Sequence, residues 1–75
     1  MEEFIKKYGN TDTIIIIQMG LLDIYDMTNK TLEEIKQHYI RELKREIKFY
    51  HKYPPMDKTE QKYCDTLMIE YDRFK

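Results

Sequence analysis

The sequence predicts an all-α fold, a small bundle of helices. Two capping motifs, at Thr31 and Asp57, each precede a run in which apolar residues recur every three or four positions. The one strand-like run, Ile14 to Ile17, has no second β-rich run with which to pair. We therefore expect a single helical domain over 1–75. Its elements are a short N-terminal helix at about 2–8 and three main helices at about 11–28, 32–53 and 58–74.

The N-terminal element is expected to be a two-turn helix with Phe4 and Tyr8 one turn apart. Gly9 and Asn10 supply its stop signal. Because two turns are unstable alone in water, this helix must dock against the others or fray. If it docks, it is the element that can cover apolar surface left exposed by the helix that follows.

The segment 11–28 is the ambiguous part of the chain. Four consecutive isoleucines suit a strand, since β-branched side chains pack well on a pleated sheet, but helical spacing continues to the end of the segment. A helix is the better interpretation, with Thr11 or Asp12 as its cap. Its apolar residues cover nearly the whole circumference, which is typical of a helix buried on more than one side. Gly20 in its interior is expected to permit close approach of another helix.

The segment 32–53 has the clearest helical pattern. Thr31 and Glu34 have capping-box spacing, which predicts the start of the helix. The end is expected at Tyr53, because the residue before a proline is pushed out of the α region and Pro54 cannot continue a helix. The apolar positions of one face are Leu32, Ile35, Tyr39, Leu43, Ile47 and Tyr50.

The segment 58–74 restarts the helical pattern after the two prolines. Asp57 and Glu60 repeat the capping-box spacing. We expect the helix to bury one apolar arc of about 140°. The members of that arc are Tyr63, Cys64, Leu67, Met68, Tyr71 and Phe74.

Composition narrows the class of protein. The 13 basic and 14 acidic side chains nearly cancel, which disfavours a globally basic nucleic-acid binder. The balance is nevertheless uneven: the net charge is −3 over 1–29, +3 over 30–53 and −1 over 54–75. The absence of alanine, valine, serine and tryptophan suits an AT-rich genome, such as that of a low-GC bacterium or a phage. A lone cysteine, an acidic N-terminus and short apolar runs fit a cytoplasmic protein outside any membrane.

The sequence contains few residues that could form a catalytic or metal-binding site. Cys64 with His38 or His51 is the only conceivable nucleophile and base, but Cys64 lies on an apolar arc, where a buried thiol acts as a small hydrophobe. No C-x-x-C or H-x-x-x-H spacing indicates a metal site, and the two isolated glycines form no phosphate-binding loop. We therefore expect no catalytic residues, no metal, no cofactor and no enzymatic activity.

Three surfaces remain as candidate binding sites. The second helix has more apolar surface than its neighbours can cover, which favours self-association as a two-fold homodimer. Its acidic arc could dock on a basic surface of a partner. The basic stripe of the long helix could bind a partner or follow phosphates, or could simply be a solvated face that complements the helix dipole. The self-association candidates are Ile14, Ile15, Ile16, Ile17, Met19, Leu21 and Leu22. The acidic candidates are Asp12, Asp23 and Asp26, and the basic candidates are Arg41, Lys44, Arg45, Lys48 and Lys52.

These surfaces favour a non-enzymatic regulatory or inhibitory protein that binds and occludes a surface of a larger cytosolic protein. Its size and composition suit a phage-encoded inhibitor of host replication or transcription machinery. The alternative is a nucleic-acid-binding regulator that uses the basic face of the helix 32–53. In that alternative the aromatic side chains beside the stripe, Phe49, His51 and Tyr53, could stack on bases.

Overall fold

Four helices follow one another in the structure, a computed structural model that describes residues 2–23 and 25–75. They are α1 (Glu2–Tyr8), α2 (Thr11–Gln18), α3 (Leu32–Lys52) and α4 (Lys58–Phe74). No strand occurs among the described residues, so the all-α prediction is confirmed. In the same part of the chain, every helix is too short or too polar to cross a bilayer.

Helix α3 begins as its sequence predicts. The hydroxyl of Thr31 accepts the Glu34 N–H at 3.2 Å, and the Glu34 carboxylate accepts the Thr31 N–H at 3.1 Å. The hydrogen bond from the Thr31 N–H, followed by the effect of the Thr31 side chain, lowers the pKa of the Glu34 carboxyl. The helix ends at Lys52, one residue before the predicted end, because Tyr53 is already the cap that leads into Pro54.

Helix α2 is shorter than predicted. The expected helix at 11–28 is wrong beyond Gln18, and Ile24 of that prediction lies outside the described residues. The N–H of Gly20 donates to the Ile17 carbonyl at 3.0 Å, and the N–H of Leu21 donates to the Ile16 carbonyl at 3.4 Å. This pair of bonds is a Schellman motif, which needs a left-handed residue after the cap. Gly20 supplies it with φ of 97°, so the glycine ends the helix instead of lying inside it.

The start of α2 also differs from the prediction. Neither Thr11 nor Asp12 is the cap: Asn10 is, and it forms a capping box with Thr13. The Thr13 N–H donates to Asn10 Oδ1 and the Asn10 N–H donates to Thr13 Oγ1, both at 3.1 Å. The isoleucine run that follows is helical, so the strand alternative is wrong.

The core is assembled from all four helices and from the segment after α2. The short helix α1 docks through Phe4, whose fully buried ring lies 5.6 Å from that of Tyr39 and 6.2 Å from that of Phe74 between centroids. Leu22 and Met27 reach the core from turns, not from a helix. The buried members are Phe4, Ile16, Ile17, Leu21, Leu22, Met27, Ile35, Tyr39, Leu43 and Leu67.

Candidate functional site

The basic face of α3 is the most extensive charged surface that the sequence predicted, and the structure leaves it free. We use this name for Arg41, Lys44, Arg45, Lys48 and Lys52, all of which are exposed. They lie opposite the buried side chains of the same helix. From position 41 to position 52 the face extends about 16 Å, at 1.5 Å per residue. Its position therefore allows contact with an extended acidic surface.

The charges of the basic face are largely uncompensated. Arg45 lies 3.8 Å from the carboxylate of Glu42, and this ion pair contributes little because the Arg45 side chain is 79% exposed to water. Among the described residues, Arg41, Lys44 and Lys48 make no ion pair, and Lys52 lies over the ring of Tyr53 at 5.6 Å. Like charges one turn apart repel each other, so this arrangement is unfavourable for the isolated helix. An anionic ligand would relieve that repulsion.

Two exposed aromatic rings lie beside the C-terminal end of the basic face. The ring centroids of Phe49 and Tyr53 are 5.3 Å apart, with a 40° angle between the ring planes. Both side chains are more than half exposed. Aromatic rings next to cations bind planar or amphipathic groups of a ligand. This end of α3 therefore combines charge with apolar contact area.

The acidic candidates do not form one arc. Asp12 lies in the first turn of α2 and is partly exposed, whereas Asp23 and Asp26 lie in the turns after the helix has ended. The Asp23 carboxylate accepts the N–H of Tyr25 at 3.0 Å, which gives it a local structural role. The prediction of a shared acidic helix face is wrong because it depended on a helix that continues to residue 28.

The self-association candidates divide into two sets. Four of the seven are buried in the chain's own core and are not available to a partner: Ile16, Ile17, Leu21 and Leu22. The other three, Ile14, Ile15 and Met19, remain exposed on α2. Helix α1 packs against α3 and does not cover them. The apolar surface of α2 is therefore smaller than the sequence suggested, but it is still present.

Part of this surface lines a groove of about 230 Å³ between α2 and α4. Ile15 and Met19 form one wall, and the half-buried ring of Tyr63 lies in the other. The remaining lining residues are Asp12, Thr59, Lys62 and Thr66. The groove is an apolar concavity with charged side chains on its rim.

The polar centre of the structure was not predicted from the sequence. Glu70 is fully buried, although the expected arc of α4 omitted it and included Met68, which is exposed. Its Oε2 accepts a hydrogen bond from Arg73 Nε at 2.7 Å, and its Oε1 accepts one from Arg73 Nη2 at 3.1 Å. The hydroxyls of Tyr39, at 3.1 Å, and Thr13 also donate to Oε1. One carboxylate thus joins α2, α3 and α4.

Arg73 extends this network to α1. Its Nη1 donates to the carbonyl of Tyr8 at 2.6 Å, and its Nη2 donates to the Thr13 hydroxyl at 2.9 Å. The hydrogen bonds to Glu70 raise the pKa of Arg73, and burial, followed by the negative charge of Glu70, raises the pKa of Tyr39. No buried side-chain polar atom in the described part of the chain lacks a partner. The network therefore fixes the relative positions of the four helices.

A signal for Glu70 does exist in the sequence. Tyr63, Leu67, Glu70 and Phe74 follow one another at spacings of four, three and four, which places the carboxylate at a core position. Arg73 follows three residues later, where it can reach Glu70 on the helix surface. A charged residue at a core position with an opposite charge one turn away predicts a buried ion pair.

The cysteine considered as a nucleophile is not accessible in the structure. Cys64 is buried, and burial, followed by the negative charge of Asp65, raises the pKa of its thiol. Within residues 2–23 and 25–75, no three His, Cys, Asp or Glu side chains are grouped as metal ligands. A raised thiol pKa disfavours the thiolate that a nucleophile requires.

Comparisons of the chain with protein-family profiles, with curated proteins and with solved structures found no match. The functional argument therefore depends on the surfaces described above. Of these, the basic face of α3 and the groove between α2 and α4 are accessible to a partner. The hydrogen-bond network around Glu70 lies inside the bundle and contributes to its stability.

Proposed function

We propose that this chain is a non-enzymatic cytoplasmic protein that binds and occludes an acidic surface of a larger protein. The observation that supports the proposal most directly is the basic face of α3. Five cations occupy one exposed side of one helix, and four of them make no ion pair within the described residues. A face that only kept the helix soluble would work as well with charges of both signs.

The shape of the face fits occlusion of a surface. A helix of 21 residues presents these cations on one exposed side, while its opposite side packs into the core of the bundle. Complementary charge accelerates association and excludes partners with the same sign of charge. The exposed rings of Phe49 and Tyr53 add the aromatic contact area that often carries binding energy. Regulation or inhibition follows if the covered surface is one that the partner needs.

Affinity capture tests this proposal. The tagged chain is incubated with a nuclease-treated lysate of a low-GC bacterium, beside the double variant Lys44→Glu/Lys48→Glu. A control, Lys6→Glu/Lys58→Glu, makes the same change in charge at exposed lysines on α1 and α4. We expect the wild type and the control to retain the same protein, eluted by salt, and the Lys44→Glu/Lys48→Glu variant to lose it. Equal retention by all three chains would contradict a role for the basic face.

A second candidate function, a nucleic-acid-binding regulator, is favoured by the contact between Lys52 and the ring of Tyr53 at the end of α3. Lys48 and Lys52 could contact phosphates while Phe49 and Tyr53 stack on unpaired bases, which is how many proteins bind single strands. The overall charge of −1 works against this function.

Fluorescence anisotropy separates the two candidates. A labelled single strand of roughly 20 nucleotides and a duplex of the same length are titrated at low and at physiological salt. Nucleic-acid binding predicts an affinity that falls steeply with salt and is lost on Phe49→Ala for the single strand. No change in anisotropy at low salt would exclude this candidate and leave the protein partner as the function to pursue.

A further inference from the structure

We propose that the N-terminal part of the basic face binds a chain of phosphoryl groups, as found in a free polyphosphate or in a nucleoside triphosphate. The site is a shallow concavity of about 300 Å³ on the surface of α3. Its lining side chains are Arg41, Lys44, Arg45 and Lys48. This inference assigns a small ligand to a face for which we proposed an acidic protein partner, and binding of the small ligand does not require that partner.

The side chains that line the concavity are all cations. At 100° per residue they fall within an arc of about 100° of the helix circumference. The carboxylates of the same stretch, Glu42 and Glu46, lie outside this arc, about 60° and about 100° from Arg45. Of the four cations, only Arg45 makes an ion pair within the described residues, at 3.8 Å to Glu42. The positive charge of the concavity is therefore largely available to a ligand.

The size of the concavity favours a compact anion. Its cations are spread over about 10 Å of the helix axis, or about two turns. Acidic side chains on a partner helix carry one charge each and stand roughly 5–6 Å apart. Consecutive phosphoryl groups share one bridging oxygen and each carries at least one negative charge at neutral pH. A polyphosphate therefore brings more negative charge into this small volume than a set of carboxylates does.

The kinds of cation also suit phosphate. Arg41 and Arg45 lie one turn apart on the helix, and so do Lys44 and Lys48. A guanidinium group presents paired N–H donors that bind two phosphate oxygens at once, whereas an ammonium group acts as a point charge. The two arginines can therefore bind successive phosphoryl groups while the lysines neutralise the remaining charge. Since only arginine and lysine line the concavity, recognition is expected to depend on the phosphates and not on a base.

A ligand in this concavity would regulate the basic face. It would occupy four of the five cations with which the face contacts an acidic protein, so the two ligands would compete. This regulatory role rests on the proposed function, because it requires the protein partner. The binding of polyphosphate to the isolated chain does not.

Isothermal titration calorimetry measures the binding with the purified chain. The probes are inorganic tripolyphosphate, ATP without added metal, and sulfate, all at one ionic strength adjusted with sodium chloride. We expect one tripolyphosphate per chain, with a Kd lower than that for sulfate by roughly tenfold or more. ATP should also bind more tightly than sulfate. Tighter binding of tripolyphosphate than of ATP would identify a free polyphosphate as the source of the phosphates, and the reverse order would identify a nucleotide.

Charge removal locates the site. Lys44→Gln/Lys48→Gln removes two of the four cations and should weaken tripolyphosphate binding by roughly tenfold or more. The variant should remain folded, because it relieves repulsion between like charges, and circular dichroism checks this. Lys6→Gln/Lys58→Gln is the matched control, with the same change in net charge at exposed lysines on α1 and α4. The control should bind tripolyphosphate as the wild type does.

A second variant tests the arginines without a change in charge. Arg41→Lys/Arg45→Lys keeps every positive charge of the concavity but removes the paired donors. Tripolyphosphate should bind this variant more weakly than the wild type. Equal binding by the two chains would contradict the assigned contacts and reduce the interaction to general attraction between opposite charges.

Three other results would overturn the proposal. The first is tripolyphosphate binding no tighter than sulfate binding. The second is an equal loss of binding in Lys44→Gln/Lys48→Gln and in Lys6→Gln/Lys58→Gln, which would show an effect of net charge alone. The third is a chain that binds a single-stranded oligonucleotide but neither tripolyphosphate nor ATP, which would favour the nucleic-acid candidate.

These results are separate from those of the capture experiment. A captured protein partner without polyphosphate binding would remove only the present inference. Polyphosphate binding without a captured partner would remove only the proposed occlusion of an acidic protein surface.

Discussion

Arg73 holds the buried carboxylate of Glu70 by two hydrogen bonds, 2.7 Å from Nε to Oε2 and 3.1 Å from Nη2 to Oε1. The carboxylate is fully buried, whereas the Arg73 side chain is 36% exposed. Fork-shaped pairing of this kind is among the stronger side-chain contacts in proteins. Because the other bonds of the two groups reach Tyr8, Thr13 and Tyr39, this ion pair joins all four helices.

Removing Arg73 should destabilise the fold strongly. Arg73→Ala leaves the Glu70 carboxylate buried without a compensating charge, and we expect a loss of about 2–4 kcal/mol in the free energy of unfolding, measured with urea. The expected loss of stability is smaller than for a fully buried ion pair, because the Arg73 side chain is partly exposed to water. Adding Glu70→Gln removes the buried charge, so the double variant should be more stable than Arg73→Ala.

Lys75→Ala is the control for this experiment. It breaks the exposed pair of Lys75 with Asp72, at 3.5 Å, and should change stability by less than about 0.5 kcal/mol. If Arg73→Ala costs no more than Lys75→Ala, the Glu70 network does not hold the bundle together.

Gly20→Ala tests the end of α2. Open space surrounds a Cβ at this position, so the φ of 97° decides the outcome. We expect a destabilisation of about 1 kcal/mol, because an L-residue with a side chain is strained in the left-handed region. If Gly20 lay inside a helix, the same substitution would stabilise the protein by a similar amount. The sign of the change, measured by thermal or urea unfolding, therefore decides between the two structures.

The sequence predicted the helices whose ends are marked by side chains. Thr31 with Glu34, Asp57 and the two prolines act through local contacts, so the start and end of α3 and the start of α4 follow from neighbouring residues. The error at α2 has a physical cause. Apolar spacing continues past Gly20, but Leu21 and Leu22 are buried from turns, and spacing alone does not distinguish a buried turn from a buried helix.

The surfaces were predictable to different degrees. The basic face of α3 follows from helical periodicity and is exposed in the structure. The groove depends on how α2 packs against α4, a contact between distant parts of the chain that periodicity does not determine. The burial of Glu70 was missed because apolar residues alone were counted as core, although Arg73 lies one turn away.

Stability should fall at alkaline pH. Burial raises the pKa of Tyr63 from 10.0 to about 12, with a smaller effect from the charge of Glu46. Between these values the unfolded chain loses the Tyr63 proton while the folded chain keeps it, so the free energy of unfolding decreases as pH rises. The slope is below the limit of about 1.4 kcal/mol per pH unit, since Tyr63 is only half-buried.

Tyr63→Phe removes this contribution. The variant should lose less stability than the wild type between about pH 8 and about pH 11, measured by urea unfolding at each pH. Tyr25→Phe is the matched control, because Tyr25 is 89% exposed, and its decline should equal that of the wild type. A steeper decline in Tyr63→Phe than in the wild type would contradict the direction of the shift.

The basic face should be unfavourable for stability, as expected of a surface retained for binding. Lys48 lies three or four residues from Lys44, Arg45 and Lys52, and like charges at this spacing repel each other by roughly 0.2–0.5 kcal/mol per pair. Lys48→Glu converts these repulsions into attractions. We expect it to stabilise the chain by up to about 1 kcal/mol at low salt, with the gain shrinking as salt screens the charges.

Lys6→Glu provides the opposite case. Lys6 lies one turn after Glu2 and Glu3, so the same chemical change creates repulsion and should destabilise the chain at low salt. Urea unfolding of both variants in low and in high salt measures whether each substitution raises or lowers the free energy of unfolding. If Lys48→Glu is neutral or destabilising at low salt, the cations of α3 are compensated in solution. The stability measurements would then no longer support a binding face. The capture experiment with the Lys44→Glu/Lys48→Glu variant would be the remaining test of the proposal.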